Sequence, residues 1–162
     1  MSGIRWIEID LDAIEHNLKA VKKKVGNDTK ILAIVKADAY GHGAARISQT
    51  LMDNGVDMLG VAFPEEGIEL RESNINIPIL VLNPVLSEQT EDILKYSMGA
   101  TVCNLDIARE LSKTAKRHCR NIRIHVEVDT GMGGAGLSPD KTLSFIKALQ
   151  LIENLEIEGV FT

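Results

Sequence analysis

The chain has 162 residues, with 18 basic and 23 acidic side chains and a formal net charge of −5. It therefore lacks the positive excess with which a polycationic nucleic-acid binder displaces counterions from phosphates. With 44% hydrophobic and 25% charged residues, the composition is that of a soluble globular domain, and a chain of this length buries about 70% of its unfolded surface, enough for one core. No apolar run approaches the roughly 18 residues of a membrane helix, and Met1-Ser2-Gly3-Ile4-Arg5 lacks the apolar stretch of a signal peptide, so a cytoplasmic location without membrane partners is expected. Cys103 and Cys119 form neither a zinc spacing nor a CxxC pair and read as core or surface thiols.

In chain order, Trp6 to Asp10 alternates apolar and polar residues like a half-exposed strand, and Leu11 to Val25 carries apolar residues at helical spacing, with Asp12 as N-cap and Gly26 as stop. Ile31 to Val35 is a buried-type strand, followed by a glycine-rich loop and a helix from Ala44 to Asn54, closed by Gly55. Met58 to Phe63 is the next strand, and Pro64-Glu65-Glu66 opens a helix ending near Ser73. Pro78 to Leu82 follows as a strand, Asn83-Pro84 as a turn, and Ser87 caps a helix through Tyr96 or Met98. Ala100 to Cys103 is a short strand, and Asn104 or Asp106 caps a helix through His118. Ile122 to Val128 is a strand, Ser138-Pro139 starts a helix running to Asn154, and Ile157 to Phe161 is the last strand.

Strands joined by helical crossovers require parallel neighbours, so the class is α/β. Two architectures fit: an open doubly wound sheet, or part of a (β/α)8 barrel, which has eight such units in about 250 residues. About six units are present here and the chain stops on a strand at Thr162. An incomplete barrel is the expectation, with an unpaired apolar edge that favours self-association.

In both architectures ligands sit beyond the carboxyl ends of the strands. Lys36 directly continues Ile31 to Val35, at the mouth of a hydrophobic strand, where desolvation favours an uncharged, nucleophilic amine. A solvated lysine at a strand end is the plainer reading. Tyr40-Gly41-His42-Gly43 precedes a helix start, where Tyr40 and backbone amides could hold a phosphate or carboxylate; a flexible βα turn is the alternative. Gly131, Gly133 and Gly136 fit the G-x-G-x-x-G dinucleotide pattern, but the following helix begins only at Ser138-Pro139 and no acid stands at the end of the next strand. His125 and Glu127 share one face of their strand, and an inward Glu127 calls for a partner. His16 and His118 read as surface residues, Lys22-Lys23-Lys24 as a solvated helix end, and Glu65 and Glu66 as charges favourable to a helix N-terminus. No HxxxH, HExxH or nucleophile-elbow pattern appears, so no metal site is expected.

Trp6 to Leu18, Ala33 to Gly43 with its Val35-Lys36-Ala-Asp-Ala-Tyr40-Gly-His-Gly43 motif, Val128-Asp-Thr-Gly-Met132 and Glu158-Gly-Val-Phe-Thr162 occur in collinear order along the full length. In these segments the chain resembles the N-terminal half of the alanine racemase family. The resemblance implies that residues 1–162 are the pyridoxal 5′-phosphate-binding barrel domain, without a C-terminal β domain, of an isomerase interconverting L- and D-alanine. It implies that Lys36 forms the Schiff base and acts as acid and base on one face of the substrate Cα, and that Tyr40 binds the cofactor phosphate. Racemisation needs a second base on the other face; the family takes it from the partner subunit of a homodimer, in a domain this chain lacks, so weak or no activity is expected of the chain alone.

The family pattern is broken in three places. Gly134 stands where an arginine contacts the cofactor ring hydroxyl, after Met132. Glu127 stands where the family often has a carbamylated lysine that pairs with that arginine; a carboxylate resembles a carbamate, but glycine removes its cation. The chain also stops just before the position of a histidine stacked on the cofactor ring. Two other functions remain readable: a non-catalytic single-barrel pyridoxal phosphate carrier, and an NAD-dependent oxidoreductase using the glycines at 131, 133 and 136.

Overall fold

A computed structural model describes residues 6–162; the leader reading at Met1 to Arg5 lies outside them. Six strands, β1 (Leu32–Ile34), β2 (Met58–Val61), β3 (Ile79–Pro84), β4 (Gly99–Val102), β5 (Ile122–Glu127) and β6 (Leu155–Phe161), form one sheet in sequence order. Every neighbouring pair is parallel. Helices α1 (Leu11–Val25), α2 (Ala44–Asp53), α3 (Pro64–Glu72), α4 (Thr90–Lys95), α5 (Leu105–Arg117) and α6 (Pro139–Leu149) lie before or between the strands. A doubly wound sheet reverses its order at a switch point. This one never reverses, so of the two architectures the barrel type is found, and β1 and β6 form no ladder with each other among the described residues.

Alternation along the strands separates two faces. Leu59, Val61, Ile79, Val81, Ala100, Val102, Ile122, Ile124 and Val126 are almost fully buried in the core. The opposite face curves around a cavity of about 530 Å³ that is lined from β1 by Leu32 and Ile34 and from β6 by Glu158 and Phe161. Curvature brings side chains of neighbouring strands together, and Gly60 is what makes room: a Cβ there would lie 2.7 Å from Ile34 Cδ1 and 2.9 Å from Leu32 Cδ2.

Several expectations are corrected. Trp6 to Asp10 forms no strand, and Trp6 and Ile7 are 80% and 79% exposed; alternation alone did not supply a neighbouring ladder. The cap of α1 is Asp10, whose Oδ1 accepts from Ala13 N at 3.1 Å, rather than Asp12. Asn83 and Pro84 belong to β3, where a register shift between Val81 and Pro84 tolerates the proline. Helix α6 ends at Leu149, and β6 begins at Leu155. Lys22 is not simply solvated: its Nζ donates to Asn54 O at 2.8 Å and Gly55 O at 2.6 Å, tying α1 to the end of α2.

Candidate functional site

The chain leaves β1 through an unusual turn. After Val35, whose N–H donates to Gly60 O at 2.8 Å, four consecutive non-glycine residues are left-handed: Ala37 (φ 51°), Asp38 (φ 53°), Ala39 (φ 51°) and Tyr40 (φ 57°). Such backbone costs about 1–2 kcal/mol per residue, so it persists only where its surroundings over-determine it. They do so here. Ala39 N donates to Val35 O at 2.9 Å, Gly43 N to Asp38 O at 3.0 Å, and the Ala39 side chain is buried. His42 Nδ1 donates to Ala39 O at 2.8 Å. Ala44 N donates to Asp38 Oδ1 at 2.6 Å, and Ala37 N to Glu66 Oε1 at 2.7 Å.

This turn fixes the approach of Lys36 and Tyr40. Lys36 is half-buried at the carboxyl end of β1, and among the described residues no carboxylate lies within ion-pair distance of its Nζ. Tyr40 is 59% exposed. The expected anion site on the amides before α2 is corrected: Ala44 N is taken by the Asp38 carboxylate and Gly43 N by the Asp38 carbonyl. An anion there would meet a carboxylate already seated on the helix start. Of that expectation, the exposed Tyr40 side chain remains.

The second candidate cluster follows β5. Val128 pairs with Leu137 in an isolated bridge, closing a loop that contains Gly131, Gly133, Gly134 and Gly136. Asp129 Oδ1 accepts from Gly131 N at 2.9 Å and Gly133 N at 3.0 Å, and these backbone donors hold its carboxyl below the usual range. Glu127 borders a cavity of about 440 Å³ together with Asp129, Thr130, Met132, Gly134 and Thr162. Met132 is 97% exposed. Gly134 lies beside Glu127, since a Cβ built on it would stand 3.9 Å from Glu127 Oε1. Next to Glu127, the Cys103 thiol is pushed up to about 11 by burial and then by the Glu127 charge, which keeps it protonated and unreactive near neutral pH. His125 faces the barrel interior, where its Nε2 lies 3.0 Å from Glu158 Oε2.

The structure thus places Lys36 and Tyr40 after β1, Glu127 at the last position of β5, and Met132 and Gly134 in the loop after it, on the same carboxyl-end rim. Tyr40 lines one cavity, and Glu127, Met132 and Gly134 line another. The glycine loop departs from the dinucleotide fingerprint, in which the helix opens within the glycines. Gly136 is required by close packing, a Cβ there falling 2.7 Å from Asp129 N and 2.9 Å from Val128 C, and α6 starts only at Pro139. Asp38 and Glu66, which hold the turn, were not singled out for that role by the sequence. Asp38 left a signal, an Asx residue within reach of a helix start. No group of metal-ligating side chains occurs among the described residues, and none of their helices is long and apolar enough to cross a membrane.

The model of the family "Alanine racemase, N-terminal domain" matches residues 9–162. The chain is 41% identical over 157 residues to the alanine racemase of Halothermothrix orenii, covering 97% of this chain and 41% of that protein. It superposes on the alanine racemase of Clostridium difficile 630, in complex with cycloserine, with a TM-score of 0.95 and 37% identity, over 100% of this chain and 45% of that one. On the Bacillus anthracis alanine racemase with bound L-Ala-P the TM-score is 0.86, at 34% identity, over 96% and 40% of the two chains. The chain therefore spans about two fifths of the length of these relatives.

Proposed function

The chain belongs to the alanine racemase N-terminal domain family, and on that premise we propose that it is the pyridoxal 5′-phosphate-binding part of an isomerase that interconverts L- and D-alanine. The observation that carries the reading is Lys36: a half-buried amine without an ion-pair partner among the described residues, presented at the carboxyl end of a parallel strand by a turn whose backbone is strained and pinned. Strain maintained at one position by several independent hydrogen bonds is what a geometric requirement on the adjacent side chain produces.

The donor set suits the cofactor. An amine with no ion-pair partner among the described residues suits covalent attachment to an aldehyde, and an exposed phenol four residues on suits a phosphate held through its hydroxyl. The chemistry the cofactor supplies when bound is an electron sink for the charge left at Cα when a proton is removed. Lys36 holds it and moves the proton on one face of Cα; Tyr40 donates its hydroxyl to the phosphate. Glu127, Met132 and Gly134 border the ring or substrate side, where Gly134 supplies no cation. The proton on the opposite face requires a second base, which we place on another subunit of a cytoplasmic homodimer.

Incubation with pyridoxal 5′-phosphate, borohydride reduction and peptide mapping test this. The label is expected on Lys36, with capture lost entirely in Lys36→Ala. Label on another lysine, or undiminished label in the variant, overturns the assignment.

A further inference from the structure

Glu66 stands in the first turn of α3, where a carboxylate is favourable in any protein. Two of its contacts belong to that ordinary role: Oε2 accepts from Ala62 N at 2.6 Å and from Phe63 N at 3.3 Å, as in a capping box. Its other oxygen does something capping does not require. Oε1 accepts at 2.7 Å from the N–H of Ala37, 29 residues earlier in the chain. Ala37 is the residue directly after Lys36 and the first of the four left-handed residues. One half-buried carboxylate therefore joins the ends of β1 and β2 at the peptide where the backbone changes hand, two residues beyond the bond from Val35 N to Gly60 O.

We propose that Glu66 is a positioning residue for Lys36, holding the strained turn so that the amine keeps one line of approach; the proposal rests on the reading of Lys36 as the cofactor-binding amine. The carboxylate is suited to this because it accepts at both oxygens. A carboxamide keeps one acceptor and turns an N–H toward a backbone N–H, so either Ala37 or Ala62 loses its partner.

In the full chain, Glu66→Gln is compared with Asn104→Ala, which removes the N-cap of α5, where Asn104 Oδ1 accepts from Ile107 N at 2.9 Å, far from the turn in sequence. Three quantities are read: hydrogen exchange of the Ala37 amide, the rate of Lys36 methylation by formaldehyde and cyanoborohydride across pH, and the rate of pyridoxal 5′-phosphate capture trapped by borohydride. In Glu66→Gln, Ala37 exchange is expected to rise, the Lys36 methylation profile to shift, and capture to slow about tenfold, as a misplaced reacting group does. Glu66→Asp restores part of the capture rate, and Asn104→Ala lowers the melting temperature without moving any of the three. Unchanged Ala37 exchange and Lys36 methylation in Glu66→Gln, or equal changes in Asn104→Ala, overturn the proposal. If the unsubstituted chain captures no cofactor, the functional reading fails, while exchange and methylation still decide the role of Glu66.

Discussion

The turn after β1 and the loop after β5 leave the same rim of the same sheet, and they are built in opposite ways. From Ala37 to Tyr40 the chain adopts left-handed backbone with residues that carry a Cβ, against their preference, and is held from outside at two points, by Glu66 at Ala37 N and by Ala44 N at the Asp38 carboxylate. At Gly131 and Gly133 the chain adopts positive φ with glycines, which accept it without strain, and a single carboxylate, Asp129, collects their amides. The first segment is rigid because its strain is opposed from outside; the second is shaped by residues that resist nothing. A side chain that must react along one line belongs on the first kind of segment, and an adaptable wall belongs on the second.

The largest expected effect in the loop comes from closing the one place where it is tightly packed. In Gly136→Ala the new Cβ meets backbone at 2.7 Å and 2.9 Å and Glu127 Cγ at 3.2 Å, and backbone cannot swing aside as a side chain does. We expect a loss of about 1–3 kcal/mol, measured by denaturant midpoint. The amide resonances of Gly131 and Gly133 should shift with it, because Asp129 N donates to Leu137 O at 2.8 Å across the same closure. A variant as stable as the parent, with those resonances unmoved, removes the packing explanation of Gly136.

A matched pair of substitutions sharpens the contrast. Ala37→Gly relieves left-handed backbone at φ 51°, and Gly133→Ala imposes it at φ 75° where nothing lies within 4 Å of the new Cβ. Both act almost purely through the backbone. The first is expected to stabilise and the second to destabilise, each by about 1 kcal/mol after the change in unfolded-chain entropy is included. Chemical denaturation of both variants decides it; the same sign for both means that the turn is not strained in the way described.

How much of this was legible in advance depends on whether the signal was local. The continuous apolar run ending at Val35 and the lysine after it marked a strand end with an amine at its mouth, and the parallel order followed from strands spaced by helices. Trp6 to Asp10 shows the limit, since alternation describes a side-chain pattern and says nothing about whether a partner strand is near. Asn83-Pro84 misled because a turn dipeptide is also tolerated at an irregular strand end. The left-handed turn was illegible because Ala-Asp-Ala-Tyr has no preference for that conformation; what imposes it includes an oxygen of Glu66, which lies 29 residues on. The glycines after Asp129 match three positions of one motif in spacing alone, whereas Gly133 serves a positive φ and Gly136 a close approach.

The loop side also carries its own reporter. Cys103 lies just past β4, against Glu127, and its thiol is pushed from 9.0 to about 11, first by burial and then by the Glu127 charge. A thiol whose folded value lies above its unfolded one contributes stability that is complete below pH 9 and is lost as pH rises toward 11, because the unfolded chain releases the proton first. Iodoacetamide should therefore modify the exposed Cys119 at pH 8 while Cys103 stays unmodified, and Cys103 should follow only as the pH approaches 11. Glu127→Gln should move the onset of Cys103 alkylation to lower pH by a small amount, since burial, the larger cause, is retained. Equal alkylation of the two cysteines at pH 8 would show that the wall beside Glu127 opens to solvent, and that the loop after β5 is looser than its closure by Val128 and Leu137 requires.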